Sequence, residues 1–185
     1  SWDSILSATI YGRLTHFMVD EQRIIAVANN DMVYISENRG ASWGEVEGVS
    51  GNKIFKIGYE YFISDDRAVY RSSNHGVSWE KVFSTVSLSG VFTFENRIYL
   101  FYKPLYRIVF SGDGLRSWSI IEPEGLNAFM ASDNILVKEL AGIGSQLLIV
   151  YRFIFASDVC DDHLATSDNN GKNWTSPTPN APFPY

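Results

Sequence analysis

One cysteine, three histidines and no long apolar run set the first limits on this chain of 185 residues. The single thiol, Cys160, excludes an intrachain disulfide framework and a zinc site built from several cysteines. It fits a cytosolic protein and equally a secreted one whose core needs no covalent staples. No apolar segment reaches the roughly eighteen residues a membrane helix requires, so no membrane insertion is expected. Basic residues are few: 15 Lys and Arg against 21 Asp and Glu leave a net charge of −6. That balance argues against a nucleic-acid backbone as the main partner, and no basic run offers a grip on an anionic membrane. A secretory leader pattern is also missing, and Ser1-Trp2-Asp3 reads as a mature or excised start. Phosphate-binding glycine loops, Gly-x-Ser-x-Gly elbows and His-Glu-x-x-His pairs do not occur, and no cofactor is expected. Sustained helical periodicity with capping signals is absent as well.

What the chain does have is apolar and aromatic mass, at 45% hydrophobic and 15% aromatic residues, enough for one sizeable core. It also has a repeat. Ser36-Glu37-Asn38-Arg39-Gly40-Ala41-Ser42-Trp43 returns as Ser72-Ser73-Asn74-His75-Gly76-Val77-Ser78-Trp79. Looser copies run from Ser111 through Asp113 to Trp118 and from Ser167 through Asn169 and Gly171 to Trp174. The shared form is Ser-x-(Asp/Asn)-x-Gly-x-(Ser/Asn)-Trp after a short apolar run. Physically this is a tight hairpin turn. The third residue can hydrogen-bond backbone amides just ahead, and the glycine takes a positive φ. The tryptophan then opens the next strand and enters apolar packing. In the third copy Leu115 stands where glycine is expected and Gly114 precedes it, which predicts a shifted turn. In the fourth, Asn173 replaces the serine.

Each copy is preceded by three strand-like runs. They are Leu14–Val19, Arg23–Ala28 and Met32–Ser36; Ile54–Tyr59, Tyr61–Ser64 and Ala68–Ser72; Val91–Phe94, Arg97–Tyr102 and Tyr106–Ser111; and Ile135–Leu140, Gln146–Tyr151 and His163–Ser167. All five tryptophans, from Trp2 to Trp174, mark the same place in the repeat. Four strands in roughly forty residues, closed by a tryptophan turn, describe a β-propeller blade.

The repeat resembles the Asp-box of sialidase-like and photosystem-assembly-factor-like β-propellers. The resemblance implies an all-β fold of four-stranded antiparallel blades with Asp-box hairpins, a small propeller or part of a larger one. The blades would span about 14–47, 54–83, 91–122 and 135–176, with residues 1–6 as an orphan outer strand. A short outer strand is expected at Trp174–Ser176, and 177–185 reads as a proline-rich tail. The structural box residues would be Ser36, Asn38, Gly40, Trp43, Ser72, Asn74, Gly76, Trp79, Ser111, Asp113, Trp118, Ser167, Asn169, Gly171 and Trp174. The fourth unit carries its extra length in Ser119–Asn134 and Arg152–Asp162, loops that in a propeller emerge opposite the boxes. Function is expected on that face, because loops more often carry it than strands.

Candidate binding residues on that face are Arg13, Asp65, Asp66, Arg67, Tyr102, Lys103, Tyr106, Arg107, Arg152, Asp161 and Asp162. Four arginines suit carboxylate recognition, as the sialidase resemblance implies. The family's Phe/Tyr-Arg-Ile-Pro signature has only a partial echo in Tyr106-Arg107-Ile108-Val109, and no Tyr–Glu nucleophile pair can be assigned. The turn Tyr102-Lys103-Pro104-Leu105-Tyr106 offers rigid aromatic contact area for a sugar or protein. The acidic run Asp158–His163 lacks the glycine spacing of a calcium loop and reads as solvated; no metal site is assigned. Cys160 with His163 carries no further sign of a thiol enzyme. His16 and His75 read as structural or exposed.

The preferred function is a non-enzymatic recognition or assembly module for a glycan or protein partner, extracellular or at the cell surface by resemblance, and a candidate homo-oligomer. The alternatives are a sialidase-like glycoside hydrolase, complete only as an oligomer or longer chain, and a scaffold that assembles a larger complex. Propellers host all three, so the fold does not choose among them.

Overall fold

The computed structural model describes residues 10–21, 23–85, 87–103, 107–121, 135–153 and 162–175. The expected orphan strand at 1–6 and tail at 177–185 lie outside them. The architecture is all-β, in two compact units, Ser1–Val86 and Ser87–Tyr185.

The first unit holds two four-stranded antiparallel meanders. One runs β1 (Leu14–Asp20), β2 (Arg23–Ala28), β3 (Val33–Ser36) and β4 (Gly44–Glu45); the other runs β5 (Lys53–Ile57), β6 (Glu60–Ser64), β7 (Ala68–Ser72) and β8 (Glu80–Ser84). Between them lies a core of Ile25, Val27, Val33, Ile54, Tyr61 and Ile63, with Met18, Ile35, Val46, Val49 and Trp79 packed against it.

The second unit holds a four-stranded meander of β9 (Ser87–Phe94), β10 (Arg97–Lys103), β11 (Arg107–Ser111) and β12 (Ser119–Ile121). Its other sheet has β13 (Ile135–Ile143), β14 (Gln146–Phe153) and β15 (Asp162–Ser167). Of the outer strand expected at Trp174–Ser176, the described residues show one bridge, Thr166 to Thr175, closed by two backbone hydrogen bonds of 2.8 and 2.9 Å. Tyr99, Phe101, Ile108, Leu147, Ile149, Tyr151 and Trp174 form the core between these sheets.

Ile98, Tyr99, Leu100 and Phe101 of β10 are all sealed from solvent and form a continuous apolar run instead of an alternating one. In β14 burial alternates, with Leu147, Ile149 and Tyr151 sealed while Leu148 and Val150 are only half-buried. Register is fixed wherever one face is buried, since a slip of one residue would turn every inward chain outward.

Candidate functional site

The four repeat turns share one hydrogen-bond frame. Ser36, Ser72, Ser111 and Ser167 are each buried at the end of the third strand of a sheet. Each hydroxyl donates to the side-chain oxygen two residues on: Asn38 at 3.0 Å, Asn74 at 2.9 Å, Asp113 at 2.8 Å and Asn169 at 3.0 Å. Each also accepts from the amide four residues on, at 2.7 Å from Gly40, 2.8 Å from Gly76, 2.8 Å from Leu115 and 2.9 Å from Gly171. The Asx oxygen in turn accepts from the amide of Ser42, Ser78, Ser117 or Asn173. Trp43, Trp79 and Trp174 donate from Nε1 to the carbonyl of their turn glycine.

The third turn is not shifted, contrary to the sequence expectation. Leu115 occupies the glycine position itself, at φ 61°. A left-handed conformation strains a leucine by about 1–2 kcal/mol. Its side chain is 2% exposed, and burial of a leucine is worth about as much or more, which offsets the strain. Asp113 replaces the amide there and is held as a carboxylate. Hydrogen bonds from the Ser117 hydroxyl and amide, and from Ser111, lower its pKa from 3.8 to about 2.

Among the described residues of the first unit, two depressions adjoin the repeat turns. The first is a polar cleft of about 620 Å³ lined by Asp20, Arg23, Glu37, Lys56, Tyr59, Tyr61 and His75, among others. Glu21 also lines it, and four of its other charged groups form two ion pairs. Lys56 Nζ lies 3.0 Å from Asp20, and Arg23 lies 3.1 Å from Glu37. The Tyr61 hydroxyl donates to Asp20 and lies 3.2 Å from His75 Nδ1. Arg23 also donates to the His75 carbonyl at 3.2 Å. Tyr59, at the tip of the β5–β6 turn, is 84% exposed at the rim.

The second is a groove of about 590 Å³. Ile35, Val46, Val49 and Trp79 form its apolar floor, themselves packed on the core of the first unit. Gly76 and Val77 from the second repeat turn make one wall. Glycine is favoured at 76 on two counts: its φ is 86°, and a Cβ there would come within 2.6 Å of Ile25 Cδ1, which would have to shift. Val77 is 63% exposed. The charged residues lining the groove are Glu37, Glu45 and Glu47, and no lysine or arginine lines it among the described residues.

The residues singled out from sequence lie mostly at the end of the sheets opposite the repeat turns. Arg13 is exposed just before β1, where its amide binds Asn29 Oδ1. Asp65, Asp66 and Arg67 form the β6–β7 turn. There Asp65 accepts from the amides of Arg67 and Ala68 and from Ser50, and Asp66 from Asn52. That explains Asp65 as a turn clamp. Arg152 and Lys138 converge on Asp162 at 2.7 and 2.9 Å and lower its pKa to about 2, the Arg152 hydrogen bond being the largest cause. Tyr102 and Arg107 face each other as paired residues of β10 and β11, and Lys103 ends β10. Tyr106, Asp161 and Cys160 lie outside the described residues, as do most of the lengthened loops. Among the described residues no group of three His, Cys, Asp or Glu side chains is placed to hold a metal.

Sequence reasoning left out Asp20, Lys56 and Tyr61 and read His75 as structural or exposed. Asp20 and Tyr61 are 41 residues apart, so no local motif signals their contact. The groove was legible in one respect only: its walls follow the second repeat turn.

No family model matches the chain, and no curated protein does. Solved structures do. YCF48 from Cyanidioschyzon merolae superposes over 95% of this chain and 58% of its own, with a TM-score of 0.62 at 11% identity. A structure of YCF48 bound to D1 peptide gives the same TM-score at 16% identity, over 96% of this chain and 58% of its own. The GH74 xyloglucanase of Xanthomonas campestris matches with a TM-score of 0.58 at 17% identity, over 86% of this chain and 30% of its own. This chain therefore spans well under two thirds of the length of each. These likenesses show the fold, a β-propeller of four-stranded antiparallel blades.

Proposed function

We propose that the chain is a non-enzymatic recognition module of the Asp-box type that binds a segment of a protein partner in the groove of its first unit. The observation that carries this is an apolar floor left open beside a well-packed core and lined by Glu45 and Glu47, with Glu37 held by Arg23 at its edge. A similar fold in complex with a peptide, YCF48 with D1 peptide, supports a protein partner. The shared Ser–Asx frame of all four turns supports the Asp-box reading. One wall of the groove is the second repeat turn and another is Glu45–Val49, so the proposal does not use the loop face favoured by loop length.

Selection of a displayed random-peptide library on the chain tests it. Enriched peptides should lose at least about tenfold in affinity to Val77→Arg, which fills the groove from an exposed position. No enrichment, or peptides indifferent to that substitution, would rule the groove out.

The polar cleft supports a second reading, glycan recognition. Exposed Tyr59 is a stacking platform beside fixed donors and acceptors. Hydrolysis fits the cleft less well, because Asp20 and Glu37 are each already ion-paired and Tyr61 is sealed from solvent. Saccharide binding lost on Tyr59→Ala, with peptide binding intact, would favour that reading.

A further inference from the structure

The geometry points to a cationic, aliphatic segment as the occupant of the groove, with Arg23 as a built-in competitor that weakens its binding. This rests on the groove being the recognition surface. The two depressions of the first unit differ in electrostatics. The cleft is lined by two cations, Lys56 and Arg23, which lie within 3.1 Å of Asp20 and Glu37, while Glu21 also lines it. In the groove, Glu45 and Glu47 stand exposed on the rim above Val46 and Val49, with no lining cation among the described residues. An extended segment alternating aliphatic and lysine or arginine residues would place one set on the floor and the other against the rim, since side chains alternate along a strand. An acidic segment would meet carboxylates of its own sign.

Glu37 is shared by both depressions, and its carboxylate is already held by Arg23 at 3.1 Å. Arg23 is itself anchored by its hydrogen bond to the His75 carbonyl. A cation of the ligand reaching Glu37 therefore has to displace a guanidinium or share the carboxylate with it. Arg23 does inside the chain what the ligand would do from outside.

Two short synthetic peptides, one alternating lysine with valine and one alternating glutamate with valine, separate the possibilities when titrated by calorimetry against the whole chain. The lysine peptide should bind at least about tenfold more tightly, and added salt should narrow the gap. Glu45→Gln with Glu47→Gln should weaken it about fivefold, as expected for exposed rim charges. Arg23→Gln should tighten it about threefold, and that gain should vanish in a Glu37→Gln background. Equal binding of the two peptides would overturn the charge assignment and leave the groove standing. Lysine-peptide binding that survives Val77→Arg would overturn the groove itself. An Arg23→Gln variant that binds no better, or gains equally without Glu37, would overturn the competitor role.

Discussion

The second and third repeat turns are the same turn built two ways. Ser72 and Ser111 hold identical frames, within 0.1 Å in their bonds to Asn74 and Asp113 and at the same 2.8 Å from the amide four residues on. At that amide one turn has Gly76 and the other Leu115, and both residues lie at positive φ. The hydroxyl–Asx frame therefore sets the turn, and the residue inside it is free to vary if its burial offsets the strain. The variation has consequences. Gly76 leaves Val77 and the groove floor open, whereas Leu115 fills its own surroundings and Trp118 is 47% exposed. The glycine that looks like a turn requirement is also a groove wall.

The most drastic way to break the comparison is to give the second turn the leucine of the third. Gly76→Leu combines backbone strain with overpacking against Ile25 and should cost about 3–4 kcal/mol in denaturant melts. It should also abolish peptide binding in whatever fraction remains folded.

Trimming the third turn is milder and more diagnostic. Leu115→Ala should cost about 3 kcal/mol, the usual range for a buried leucine. Leu115→Gly should cost about 1 kcal/mol less, because glycine accepts the positive φ without strain. At a φ below zero the order would be the reverse, so an alanine variant more stable than the glycine one would mean the turn is shifted after all.

How much of this was readable in advance follows from where the forces act. The strands and the repeat turns are local: alternation, continuous apolar runs and the Ser–Asx spacing each lie within a few residues, and the three runs before each repeat turn overlap β1–β3, β5–β7, β9–β11 and β13–β15. The third turn was misjudged because Gly114 next to Leu115 looked like a relocated glycine. Its burial, the deciding quantity, depends on packing that no local pattern displays. The cleft formed by Asp20, Lys56, Tyr61 and His75 was invisible for the same reason, as was the groove floor, since Val46, Val49 and Trp79 come together only when two sheets stack.

The smallest difference between the turns is electrostatic. Asp113 has a depressed pKa, about 2, so its contribution is fully present above its ordinary 3.8 and is lost as pH falls through about 2. The Asn74 turn has no such group. Amide exchange at Ser117 should therefore accelerate between pH 4 and pH 2 more than exchange at Ser78, and Asp113→Asn should abolish the difference. Asp162, lowered the same way by Arg152 and Lys138, should loosen β15 over the same window.

The most direct test of the recognition groove is a map of amide and indole resonances during titration with the lysine–valine peptide. The predicted shifts fall on Val46, Gly48, Val49, Val77 and the Trp79 indole, while the Trp118 and Trp174 indoles stay still. Shifts confined to the Tyr59 cleft, or to the Asp65–Arg67 turn at the other end of the sheets, would contradict it.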